Sequence, residues 1–207
     1  MPQNECVESG IDRAGLPQLV LASSSQNRKL LLRRLVSDFA IMEPISGETV
    51  EPNERGRLRA IRLARLKAAS IAEGLAHHLI IGSDQVAESR GRVLHKPGEC
   101  GQATSDLLWS AGQQIDFWTG VCVRDTRSGQ ERYAVDHTRV WMREFTRDEI
   151  LRYLSIDQPW GCAASFRAES LGPALFRTMV TRDPTALIGL PLIALSHLLR
   201  TFGYPLP

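Results

Sequence analysis

The run Leu19-Val20-Leu21-Ala22 is uniformly apolar and breaks into Ser23-Ser24-Ser25-Gln26-Asn27-Arg28, after which leucines recur at Leu31, Leu32 and Leu35. A short unbroken apolar run suits a buried strand, and leucines three and four apart suit one face of a helix. The pattern therefore predicts strand, turn and helix, with Ser25 as the helix cap. A second helix is expected from about Glu54 to Gly74, with Leu58, Ile61, Leu66, Ala68 and Ile71 as its apolar positions and Arg55, Arg59, Arg62 and Arg65 largely elsewhere on its surface. Its end is marked by Gly74. The apolar run from His78 to Val86 reads as a central strand that delivers Asp84 at its end, where catalytic groups gather in α/β sheets. Ser89-Arg90-Gly91-Arg92 reads as a hairpin turn that returns through Val93 and Leu94 and carries Lys96 toward the same edge.

From Asp116 to Phe145 β-branched and aromatic residues predominate, and Ser128-Gly129 divides them into two long antiparallel strands. Thr146 and Glu149 have capping-box spacing for a short helix carrying Ile150, Leu151 and Leu154. Residues Cys162–Phe166 read as a short strand with Glu169 just beyond, and a last helix runs from Pro191 to about Phe202, closed by Gly203. This mixture is an α/β fold with an antiparallel portion. Residues 1–17 show no periodic pattern and are expected to be a disordered leader; residues 18–207 read as one domain.

Composition narrows the function classes. A chain of 207 residues can bury one sizeable core, and its formal net charge of +2 is too small to argue for a nucleic-acid or membrane partner. No apolar stretch approaches a bilayer span and the N-terminus lacks a signal-peptide pattern, so a cytoplasmic location is expected. Cys6, Cys100, Cys122 and Cys162 form no Cys-x-x-Cys pair and read as free thiols, while His77 and His78, adjacent on a strand, would face opposite ways and not share a metal.

The polar residues at segment ends carry the chemistry. The Ser23 and Ser25 hydroxyls, the helix N–H groups and the Arg28 guanidinium offer donors for a phosphate. Arg28, Lys67 and Lys96 can neutralise a polyphosphate, and Glu48 with Asp84 can hold a divalent ion or activate water. Each cation alone is more often a solvated surface charge; their joint appearance points to hydrolysis of a phosphoric anhydride.

The chain resembles the Maf-like nucleotide pyrophosphatases, and especially the branch assigned to 7-methyl-GTP. The resemblance runs through Ser23, Ser25 and Arg28, Gly47-Glu48-Thr49, Leu66-Lys67-Ala68, Gly82-Ser83-Asp84-Gln85-Val86 and Lys96-Pro97. It continues through Phe117-Trp118-Thr119-Gly120, Ser165-Phe166, Arg182-Asp183-Pro184 and Gly189-Leu190-Pro191-Leu192. It implies an elongated α/β fold with a cleft between two lobes, often a homodimer, and Mg²⁺- or Mn²⁺-dependent cleavage of a nucleoside triphosphate to monophosphate and pyrophosphate. By position it makes Asp84 the proton acceptor for the attacking water, Ser23, Ser25, Arg28, Lys67 and Lys96 phosphate ligands, and Glu48 a partner of the metal. It assigns base selection to Asn27, Gln85 and Glu169. Glu169 can accept from the N1–H and amine of guanine. Asn27 stands where that branch carries a tryptophan, and His95 and Ala164 stand where it carries glycines. Two other readings are a nucleic-acid-binding protein using the basic segment Arg55 to Lys67, and a non-catalytic nucleotide-binding regulator of cell division.

Overall fold

In the computed structural model, which describes residues 15–45, 47, 51 and 54–206, the first apolar run forms strand β1 (Gln18–Ala22), followed by helix α1 (Gln26–Leu32). Strand β2 (Ala40–Met42) lies parallel to β1, and helix α2 (Gly56–Ala69) leads to β3 (His78–Ser89), also parallel to β1. The remaining pairings are antiparallel: β4 (Arg92–Leu94) and β5 (Gln114–Asp125) with β3, β6 (Glu131–Met142) with β5, and β7 (Phe176–Val180) with β6. The result is a seven-stranded mixed sheet in the order β2-β1-β3-β5-β6-β7, with β4 joined to β3. Helices α3 (Cys100–Ser110), α4 (Arg147–Asp157) and α5 (Leu192–Thr201) complete the α/β fold.

Strand periodicity sorts the core. Leu19, Leu21, Leu79, Ile81, Val121 and Val123 face α1 and α5, whereas their neighbours Val20, Ala22, Ile80 and Cys122 face α2. Farther along the strands, Ala87, Leu94, Ile115, Phe117, Val140 and Met142 pack with α3 and α4 in a separate cluster. Helix α2 approaches the sheet closely because two glycines lie beneath it: a Cβ on Gly82 would come within 2.2 Å of the Ala64 carbonyl oxygen, and one on Gly120 within 2.3 Å of that of Ala60.

Several expectations are corrected. The buried face of α2 is Ala60, Leu63, Ala64 and Ala68 together with Arg59 and Lys67, while Leu58 and Leu66 are exposed. Small residues win this face because the helix lies against backbone. The helix closes at Ser70, a turn before Gly74. Asp84 sits inside β3, which runs on to Ser89 because β4 and β5 continue to pair with it. Residues Ala163–Ser165 form a 3-10 turn instead of a strand, with Ala164 at φ 57° and Ser165 at φ 61°. Ala164 thus occupies a left-handed conformation that glycine would adopt without steric cost. Leu151 is exposed on α4, although the capping box forms with both reciprocal hydrogen bonds. Helix α3 and strands β2 and β7 had no clear signal: β2 has three residues, and β7 is exposed along most of its length.

Candidate active site

A gap in the sheet edge creates the site. The pairing of β1 with β3 ends at Ala22 opposite Gly82, and that of β4 with β3 starts only at Ala87, opposite Leu94. Ser83, Asp84, Gln85 and Val86 are therefore left with a strand only on their β5 side. A cavity of about 310 Å³ opens over this edge, and it runs into a wider polar recess bounded by the Ser23–Arg28 turn.

Alternation along β3 divides the cleft. Asp84 points to the α2 face, where its Oδ1 accepts a 2.5 Å hydrogen bond from Lys67 Nζ; the two residues are only 6 % and 8 % exposed. The close approach of α2 permitted by Gly82 brings Lys67 within reach. Gln85 points to the other face and is tied there, its Nε2 lying 3.0 Å from Thr119 Oγ1 and 2.9 and 3.1 Å from the carbonyl oxygens of Ala186 and Leu187.

The turn after β1 is shaped by its own hydroxyls. Ser23 Oγ accepts from the Ser25 N–H at 3.1 Å, and Ser25 Oγ caps α1 by accepting from the Arg28 N–H at 3.4 Å. Arg28 Nε donates to the Gly189 carbonyl at 2.8 Å, the same oxygen that accepts from Ser83 Oγ at 3.0 Å. Gly189 reaches this position at φ 126°, a conformation closed to most side chains, which accounts for glycine before Leu190-Pro191. Lys96, delivered by β4 and exposed, completes the positive lining.

At the other end, Asn27 Nδ2 donates to Glu169 Oε1 at 2.8 Å, and Arg167 Nε approaches the same oxygen at 3.4 Å. Asn27 thus orients the carboxylate expected to meet a base. Phe117, Phe166, Val86 and Leu94 line the apolar part of the cavity. Cys162 also lines it; burial pushes its thiol pKa up, Glu169 adding to the effect and Arg167 and Lys96 opposing it.

The structure thus gathers Ser25, Asn27, Arg28, Lys67, Asp84, Gln85, Lys96 and Glu169 around one cavity, with Ser23 in the adjoining recess. Glu48 and residues 1–14 lie outside the described residues. Two arginines of the lining, Arg59 and Arg167, were not nominated for the site from the sequence. Arg59 shares an i, i+4, i+8 stripe with Leu63 and Lys67, a spacing that could have revealed it. In the basic segment from Arg55 to Lys67, Arg55 and Arg57 are exposed, while the others are engaged or buried within the protein. Arg62 holds Glu54 at 2.7 Å, Arg65 pairs with Glu131 and lies over Tyr133, and Arg59 is buried. Cys100, Cys122 and Cys162 are free thiols, and no described helix is long and apolar enough to cross a membrane.

The sequence model of the Maf-like protein family matches residues 18–202. The chain belongs to the Maf-like family. Among its Maf-like relatives is a protein of Ralstonia nicotianae named 7-methyl-GTP pyrophosphatase, 42% identical over 190 residues, or 92% of this chain and 98% of that one. Proteins of the same name from Burkholderia thailandensis and Aromatoleum aromaticum are 43% and 44% identical, over 94% and 92% of this chain and 92% and 98% of their own lengths. In this Maf-like chain the family match spans both the β1 turn and the Gly189-Leu190-Pro191 segment that anchors Arg28.

Proposed function

We propose that this chain is a nucleoside triphosphate pyrophosphatase that hydrolyses 7-methyl-GTP or a closely similar guanine nucleotide to the monophosphate and pyrophosphate. The observation that carries this reading is the buried Lys67–Asp84 pair, set in a cleft whose cations include Arg28 and Lys96 beside a hydroxyl-lined turn. The substrate follows the relatives' shared name, and Glu169 supplies a suitable acceptor for guanine donors.

In this mechanism Lys67 holds one oxygen of Asp84, and the other accepts a proton from the attacking water. Arg28, Lys67 and Lys96 stabilise the charge that spreads over the phosphate oxygens as the anhydride bond breaks and pyrophosphate departs. Gln85 is held rigidly by Thr119 and the 186–187 carbonyls, so its oxygen is presented to the base from a fixed position. No group of three His, Cys, Asp or Glu side chains among the described residues is assembled to hold a metal. A magnesium- or manganese-like ion would be carried largely by the substrate phosphates, with Glu48, the residue expected from the sequence, as its protein carboxylate. When bound, such an ion supplies Lewis-acid stabilisation of the phosphate oxygens.

The test is incubation of the full chain with Mg²⁺ or Mn²⁺ and a panel of canonical and methylated triphosphates, measuring pyrophosphate and phosphate separately. Pyrophosphate release from 7-methyl-GTP is expected, with Asp84→Asn slower by roughly 10²–10⁴-fold. The reading fails if no triphosphate yields pyrophosphate, or if the variant turns over as fast as the wild type.

A further inference from the structure

Among the described residues, Arg59 Nε is a buried side-chain nitrogen without a hydrogen-bond partner. Its neighbours on α2 show how unusual this is. Arg62 is bound at 2.7 Å to Glu54, and Arg65 at 2.6 Å to Glu131. Arg59 is 8 % exposed, lines the cleft, and forms no salt bridge to a described residue. Glu54, whose carboxyl feels the Arg59 charge, is already engaged by Arg62. A guanidinium keeps its charge in a protein, so a buried Nε on it left without a hydrogen-bond partner is costly. A cation held this way beside a cavity is matched to an anion that arrives with the ligand.

The sheet indicates which part of the ligand that is. Arg59, Leu63 and Lys67 form one stripe of α2, the helix laid on the sheet face to which Asp84 points. Gln85 points to the opposite face. Arg59 is therefore on the side of the reacting phosphates and away from Gln85. We infer that Arg59 is a phosphate-binding residue: its guanidinium pairs with the phosphate chain of the bound nucleotide and continues the row begun by Lys67. Planar, forked donors suit two phosphate oxygens at once. This inference rests on the pyrophosphatase reading.

The experiment compares wild type, Arg59→Met and Arg59→Lys as full chains with Mg²⁺. It measures turnover of 7-methyl-GTP, calorimetric binding of inorganic pyrophosphate and of 7-methylguanosine, and melting without ligand. Arg59→Met is expected to weaken pyrophosphate binding and raise KM by about tenfold or more, leaving nucleoside binding unchanged. Its ligand-free melting temperature should not fall, because the buried Nε has no hydrogen bond to lose. Arg59→Lys should recover part of the pyrophosphate affinity, since it keeps the charge without the fork. Unchanged pyrophosphate binding in Arg59→Met overturns the inference, as does a loss confined to the nucleoside. Should Arg59→Met fail to fold, full wild-type pyrophosphate affinity in Arg59→Lys overturns it instead. A wild type that hydrolyses nothing refutes the enzymatic reading, while pyrophosphate binding still judges Arg59 separately.

Discussion

At the proposed phosphate end of the cleft, Arg28, Lys67 and Lys96 arrive from three separate elements and their charge exceeds that of Asp84 beside them; at the proposed base end, Asn27, Glu169 and Gln85 direct their polar groups at one another and at backbone carbonyls. The first end gains by receiving an anion. The second must exchange existing hydrogen bonds for new ones, so the net free energy available to distinguish bases is the small difference between two satisfied states. One consequence is that substitutions at the base end can redirect selectivity without disturbing the reaction. Asn27 cannot stack on a base as an aromatic would, but it fixes the Glu169 carboxylate.

The largest effect that would test this contrast is at Lys67. Lys67→Met should lower kcat by roughly 10²–10³ and also destabilise the fold, because it leaves the buried Asp84 carboxylate without its cation. Adding Asp84→Asn should restore the melting temperature and not the turnover. A folded Lys67→Met with wild-type kcat would remove the phosphate end from the mechanism.

Glu169→Gln addresses the opposite end. Its kcat/KM for 7-methyl-GTP relative to a pyrimidine triphosphate should fall about tenfold, the size of one hydrogen bond to a charged acceptor, with inhibition by pyrophosphate unchanged. An equal loss on every nucleotide would mean that Glu169 serves the phosphates.

The smallest effect is electrostatic. Burial raises the Cys162 pKa first and Glu169 second, Asp157 also raising it while Arg167 and Lys96 lower it. The reactive species is the thiolate, so below the raised pKa the alkylation rate should climb about tenfold per pH unit. Removing the Glu169 charge lowers that pKa, and Glu169→Gln should label several-fold faster at Cys162 at fixed pH, read by mass spectrometry of the modified peptide. Labelling slower than wild type would contradict the placement of Glu169 beside this thiol.

Much of this molecule was legible along the chain wherever neighbours in sequence are also neighbours in space. The β1 run, the Ser25 cap, the Ser89–Arg92 hairpin and the Thr146–Glu149 box all obey local rules, and each forms. Legibility failed where burial is set from a distance. The apolar stripe expected on α2 pointed to Leu58 and Leu66, yet the alanines pack inward, since Gly82 and Gly120, remote in sequence, draw the helix onto bare backbone. The strand expected at Cys162–Phe166 is instead a turn with Ala164 and Ser165 at positive φ, and Ala164 and Phe166 pack in the cluster with α3 and α4.

The candidate site divides along this line. Residue chemistry and order were sufficient to nominate Asp84, Lys67, Lys96 and the Ser23–Arg28 turn, because hydroxyls and charges ending apolar runs can be read in one dimension. That Lys67 clasps Asp84, that Asn27 holds Glu169, and that Arg59 lies buried beside the cleft without a described partner could come only from the folded chain. These are long-range contacts, fixed by where the sheet edge is interrupted and how closely α2 lies on it, and no local propensity encodes either distance.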